Sequence, residues 1–121
     1  MSDDLIFDSP FILGMMRLDE RPEFDDVEKF ADWLEARVDQ GLHWFDHADS
    51  YGNHQGEQRF GEALARRPSL KSRIRVVTKG NIVLPHRDIS PFGVKHYDTS
   101  ERYLTQVIDS SLSRLGVDRL D

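Results

Sequence analysis

Residues 25–46 read Asp25-Asp26-Val27-Glu28-Lys29-Phe30-Ala31-Asp32-Trp33-Leu34-Glu35-Ala36-Arg37-Val38-Asp39-Gln40-Gly41-Leu42-His43-Trp44-Phe45-Asp46. Val27, Phe30, Ala31, Leu34 and Val38 recur at the spacing that lines one face of an α-helix. Asp25, with Glu28 three residues on, predicts the capped start of that helix and Gly41 its end, so that it covers 25–40. Leu42 to Asp46 then packs bulky residues without helical period, which predicts a short buried strand. A helix that runs directly into a strand is half of a parallel βα arrangement, and the flanking sequence supplies the rest. Upstream, Phe11 to Leu13 is a short apolar segment closed by Gly14. Downstream come a helix over 57–67 with Phe60, Ala63 and Leu64 inward, and a strand over 74–78 rich in β-branched residues. A long connection over 80–98 holds Pro85, Pro91 and Gly93, and such loops are usually functional or mobile. The clearest helix follows it, with Leu104, Val107, Ile108, Ser111, Leu112 and Leu115 on one face. Asp98 to Ser100 supply its cap and Gly116 its stop.

The order is strand, helix, strand, helix, strand, helix and, at Arg119-Leu120-Asp121, the opening of a fourth strand. Such alternation predicts an α/β fold of parallel strands joined by right-handed crossovers. An open doubly wound sheet of this length should carry a Gly-rich phosphate turn after its first strand, and Gly14-Met15-Met16-Arg17-Leu18 is no such turn. A closed (β/α)8 TIM barrel takes ~250 residues. At about 35 residues per unit, the 121 residues supply three full βα units and the first residues of a fourth, about half of what eight would need.

Composition narrows the partners. The chain has 22 acidic and 16 basic residues, a net charge of -6, which disfavours a phosphate backbone as partner and so argues against nucleic acid. Residues 1–50 hold 14 of the acids and 4 of the bases, but the acids are dispersed among apolar residues and read as a solvated helix face. No run is long and apolar enough for a membrane span, and the acidic Met1 to Asp4 is unlike a secretory signal, so a cytoplasmic protein is expected. Cysteine is absent, which removes disulfides, thiolate nucleophiles and Cys-ligated metal sites.

In parallel sheets, reactive groups gather at the carboxyl ends of the strands. The first end offers Met15, Met16 and Arg17, the second Phe45-Asp46-His47-Ala48-Asp49-Ser50-Tyr51-Gly52, the third Val77-Thr78-Lys79-Gly80. Alternation puts Asp46 on the face of Leu42 and Trp44, and Lys79 on that of Val77. If both faces point inward, a carboxylate and an ammonium from adjacent strands converge at the mouth.

The segment over 45–52, followed by Gly56-Glu57 and Phe60-Gly61-Glu62-Ala63-Leu64, resembles the aldo-keto reductase signature around the second strand and helix. Val76-Val77-Thr78-Lys79 resembles the family's third strand, and Ser110-Ser111-Leu112-Ser113-Arg114-Leu115-Gly116-Val117-Asp118 the approach to its fourth. The Asp46-His47-Ala48-Asp49 form, with Met15-Met16-Arg17-Leu18 after the first strand, is most similar to a bacterial oxidoreductase branch. The resemblance implies a (β/α)8 TIM barrel that reduces small aldehydes or ketones with NADP(H), and residues 1–121 as the amino-terminal part of that single barrel domain, about three βα units. It implies that Asp46, Tyr51 and Lys79 are catalytic, with Met15, Met16, Arg17 and Asp46 near the cofactor. The family's catalytic histidine at the end of the fourth strand has no counterpart, so the 121 residues alone are expected to be inactive and to bind NADPH weakly.

The chemistry is coherent. Hydride delivered to a carbonyl carbon leaves charge on oxygen, which a proton donor must meet. A phenol, with an ordinary pKa of ~10, needs help at neutral pH. An ammonium ~4 Å away, at an effective dielectric of ~20, favours the phenolate by ~4 kcal/mol. Tyr51 beside Lys79 meets that need, with Asp46 holding Lys79 charged and directed. Taken alone, Tyr51 would read as a half-buried core phenol, and Glu57 as a cap or anchor of its helix. Two other functions compete: a non-catalytic partial barrel that self-associates or pairs with the remaining part of its barrel, and a metal-dependent barrel hydrolase. The second draws on His43, His47, His54, Asp46 and Asp49, but alternation sets His43 and His47 opposite Asp46, so no metal site is expected.

Overall fold

A computed structural model describes residues 8–85 and 93–121. The acidic start at Met1 to Asp4, and Pro91 of the long connection, lie outside the described residues. Three strands, β1 (Leu13–Gly14), β2 (Trp44–Asp46) and β3 (Arg75–Val77), form a parallel sheet in the order β1-β2-β3. Helix α1 (Val27–Asp39) crosses from β1 to β2, and α3 (Gly56–Ala65) crosses from β2 to β3 after a single turn, α2 (Tyr51–His54). Helix α4 (Glu101–Leu115) packs beside α3 and leads to the carboxyl terminus. There the Asp121 N–H donates to the Val76 carbonyl at 2.8 Å, and Asp121 Oδ2 accepts from the Val76 N–H at 3.0 Å. These two bonds tie the last residue to β3, on the side away from β2 in the sheet order.

Each helix forms where its apolar stripe can be covered. Phe30, Ala31, Leu34 and Val38 of α1 are buried against Phe45 and Val76 of the sheet and Phe60, Ala63 and Leu64 of α3. The Phe45 and Phe60 rings lie 5.2 Å apart at an angle of 56°, and Phe30 meets Phe60 edge-on at 6.2 Å, an arrangement that aromatic quadrupoles favour. The α1 cap is Asp26, one residue later than the spacing suggests: its Oδ1 accepts from the N–H of Glu28 at 2.9 Å and of Lys29 at 3.2 Å. Asp25 instead sits in a preceding 3-10 turn and binds Arg59 of α3. Ser100 caps α4 through the Tyr103 N–H, and Gly116 ends it in the left-handed conformation at φ 67°.

Two expectations need correction, and one aromatic side chain gains partners. The long connection is not structureless, because β4 (Ile82–Val83) and β5 (His96–Tyr97) pair antiparallel as a small hairpin. Ile108 is 51 % exposed, since α4 is buried along Val107, Ser111 and Leu115 alone. Trp44 is buried: its indole N–H donates to Asp8 at 3.1 Å and Arg75 lies over its ring.

Candidate active site

Backbone pairing carries the β2–β3 ladder past the strands themselves. The His47 N–H donates to the Val77 carbonyl at 2.7 Å and the Asp49 N–H to the Lys79 carbonyl at 2.8 Å. Residues 46–49 and 77–79 thus leave the sheet side by side, and this fixes the carboxyl-end constellation. The Lys79 ammonium binds Asp46 Oδ1 at 2.5 Å and the His47 carbonyl at 2.7 Å. It also sits 5.3 Å from the centroid of the Tyr51 ring, within reach of a cation–π attraction. Asp46, Tyr51 and Lys79, expected to converge at the mouth, are therefore brought together.

Burial works to lower the Lys79 pKa, but the hydrogen bond and charge of Asp46, with smaller contributions from Tyr51, leave it raised above the ordinary lysine value. The ammonium is kept charged while about half of its side chain remains open to solvent. Beside it lies a shallow pocket of about 170 Å³ lined by Ala48, Ser50, Tyr51, Lys79, Gly80, Asn81 and Ile82. A larger hollow of about 500 Å³ opens elsewhere, at the amino ends of the strands, away from the Lys79–Tyr51 pair.

The turn bearing Tyr51 is unusual. Gly52, Asn53 and His54 have φ of 62°, 56° and 68° in succession. Left-handed backbone at a non-glycine residue costs ~1 kcal/mol or more and persists only where surroundings hold it. Here the His54 N–H donates to the Ser50 carbonyl, and its ring Nε2 accepts from the Leu84 N–H of the hairpin at 3.2 Å. His54 Nδ1 lies 3.2 Å from Asp49 Oδ2.

Of the residues set near a cofactor, Met16 and Arg17 are exposed after β1, and Arg17 lies 3.7 Å from Glu20. Met15 is buried in the apolar core, and its N–H donates to the Asp46 carbonyl at 2.9 Å. Its side chain belongs to the same core cluster as Leu18, Phe30 and Phe45. The histidines named as alternative metal ligands are dispersed: His43 binds Asp8, His54 faces Asp49, and His47 is fully buried against the Phe60 ring at 4.4 Å. Among the described residues no three metal-ligating side chains converge.

Sequence reasoning missed a buried polar network behind the site. Glu57, read as a cap or anchor of its helix, is an anchor, and it is 1 % exposed. It accepts from Thr78 at 2.7 Å, Ser111 at 2.9 Å and Arg114 Nη2 at 2.9 Å. The same Arg114 nitrogen also donates to Asp49 Oδ1. These partners are separated by 21 to 65 positions, and Arg114 shows no pattern in one sequence that marks it as inward.

A family model described as "Aldo/keto reductase family" matches residues 10–121. An uncharacterised oxidoreductase of Bacillus subtilis is 37 % identical over the whole chain. A 6-dehydroglucose reductase of Agrobacterium fabrum is 34 % identical over 93 % of it. The chain spans 39 % and 38 % of those two relatives. Among solved structures, the holo form of an aldo-keto reductase from Bacillus halodurans matches with a TM-score of 0.69 at 26 % identity, covering 92 % of this chain and 33 % of that one. A Klebsiella pneumoniae aldo/keto reductase in complex with NADP and acetate matches with a TM-score of 0.61 at 25 % identity, over 91 % and 32 %. The three parallel βα units correspond to part of a (β/α)8 barrel.

Proposed function

The chain belongs to the aldo/keto reductase family, an oxidoreductase family, and from that premise we propose that its residues serve NADP(H)-dependent reduction of small aldehydes or ketones to alcohols. The observation that carries this reading is the Lys79 ammonium held 2.5 Å from Asp46 and 5.3 Å from the Tyr51 ring centroid. Tyr51 holds the proton that the carbonyl oxygen takes up as its carbon gains hydride. Lys79 stabilises the phenolate that remains, and Asp46 keeps Lys79 charged and aimed. NADPH, when bound, supplies the hydride. The residues at the mouth fit the reacting end of that cofactor: Met16 is exposed after β1, and Tyr51 and Lys79, the latter held by Asp46, border an open pocket. The relative named for 6-dehydroglucose is consistent with a carbonyl substrate.

In this reading the partners are a small carbonyl compound and further strands that complete the barrel, from the remaining part of the same barrel or by self-association. In the same reading, the 121 residues by themselves are expected to show no reductase turnover. A cytoplasmic setting accords with the lack of any helix, among the described residues, that is long and apolar enough to cross a membrane. The test is NADPH oxidation by a complete barrel carrying these residues, with small aldehydes as substrate. Tyr51→Phe is expected to lower the rate ~100-fold or more. An unchanged rate would remove Tyr51 as the proton donor.

A further inference from the structure

Asp49 occupies a position that the proposed chemistry does not use. Its side chain is 7 % exposed, yet it touches the supports of both Tyr51 and Lys79. Its N–H donates to the Lys79 carbonyl at 2.8 Å, its Oδ1 accepts from Arg114 Nη2, and its Oδ2 faces His54 Nδ1 at 3.2 Å. Tyr51 follows two residues later. On the other side, Arg114 holds Glu57, and Glu57 holds Thr78, the residue just before Lys79. A single guanidinium from α4 therefore fastens the backbone next to each of the two groups whose separation matters. Neither Asp49 nor Arg114 lines the pocket beside Tyr51 and Lys79.

Stability alone is a weak reason for such an arrangement. Desolvating an arginine and two carboxylates costs about as much as their attraction returns, and an apolar replacement is often neutral. The strained turn gives a better reason. With Gly52, Asn53 and His54 all left-handed, the Tyr51 turn needs an external hold to keep one geometry. Asp49 is the anchor from which that turn departs, and His54, which closes it, returns to the Asp49 carboxylate.

We propose that the Asp49–Arg114 ion pair is a positioning device for carbonyl reduction, fixing the separation of Tyr51 from Lys79 without touching substrate or cofactor. The proposal rests on the reductase function above. It implies that breaking the pair lowers turnover while leaving cofactor affinity alone, because the mouth keeps its lining and loses only its register.

The experiment uses the same complete barrel as the reductase assay, with Asp49→Asn, Arg114→Lys, the double variant and Tyr51→Phe in parallel. Asparagine keeps the volume of Asp49 without its charge, and a lysine ammonium cannot bridge two carboxylates as a guanidinium does. Each single variant is expected to lose roughly 10- to 100-fold in kcat, the scale of an ångström's misplacement. The KM for NADPH should stay within about twofold, and the double variant should lose no more than the worse single. Unchanged kcat in both singles, or multiplicative losses in the double, would overturn the proposal. So would loss of cooperative unfolding in both singles, which would make the pair a folding determinant. If the unaltered barrel oxidised no NADPH with small aldehydes, the reductase reading itself would fall, whereas full activity in Tyr51→Phe would remove only the role of Tyr51. Positioning would then be judged by the nuclear Overhauser contact between the Tyr51 ring and the Lys79 side chain. Its loss in Asp49→Asn would support the proposal, and its retention would refute it.

Discussion

His47 is the residue whose charge state the fold controls most firmly. Burial pushes its pKa down to about 3, with Asp46 opposing and Lys79 reinforcing the shift, so it is neutral in the folded protein at ordinary pH. The unfolded chain takes up the proton below ~6.5 and the folded one only near 3, so acid favours unfolding. The stability that depends on a neutral His47 is present above about pH 6.5 and is lost progressively down to about pH 3, at a slope of up to ~1.4 kcal/mol per pH unit. His47→Phe, which suits the Phe60 ring, is expected to flatten this part of the acid limb. Urea unfolding of both proteins from pH 7 to pH 3.5 checks it, and parallel curves would refute it. At the same scale, alternation along β2 and β3 was enough to bring Asp46 and Lys79 together, because a period of two residues is a property of any strand. The Asp49–Arg114 contact was not legible, since it depends on which face of α4 meets α3.

Among the elements, α3 and α4 meet through a glycine. A Cβ placed on Gly61 would lie 1.9 Å from the Arg114 carbonyl oxygen, a backbone atom that cannot swing aside. Gly61→Ala is therefore expected to destabilise the protein by ~2 kcal/mol, within the range for overpacking. Gly14→Ala, with nothing within 4 Å of the added carbon, should change stability by less than ~0.5 kcal/mol. Thermal unfolding of both variants separates them, and equal melting temperatures would refute the close-approach argument. The helices were legible because their stripes repeat over three or four turns, as at Phe30, Leu34 and Val38. The β4–β5 hairpin was not, because Ile82–Val83 and His96–Tyr97 are two-residue strands held by partners far along the chain. Phe11 and Ile12 looked as strand-like as Leu13, yet only Leu13 and Gly14 pair with β2. Pairing, which no local pattern encodes, decides where a strand begins.

At the scale of the molecule, the alternation of elements sufficed for the parallel sheet and its order, since consecutive βα units have few ways to pack. The surface carries the remaining consequence. Phe11 is 64 %, Ile12 44 % and Met16 61 % exposed around β1, whose other edge pairs with β2. Among the described residues β1 is an edge strand, and an apolar edge invites association. The 121-residue chain in isolation is expected to be oligomeric or aggregation-prone. Light scattering coupled to size-exclusion chromatography checks this. A monodisperse species of 14.0 kDa with one sharp unfolding transition would show that three βα units suffice as an independent domain.

The clasp between Asp121 and Val76 sets a rule for exchanging pieces between related barrels. Asp121 contributes its own N–H and one carboxylate oxygen to a single residue of β3, while its other oxygen is 3.3 Å from Arg75. A chimaera spliced just upstream of this position inherits β3 from one parent and its lateral fastening from the other. Crossovers there should succeed when the donor supplies an aspartate at 121 and fail with alanine, however similar the parents are elsewhere. The seam is thus a compatibility code, written in one side chain, for joining this portion of a barrel to the next.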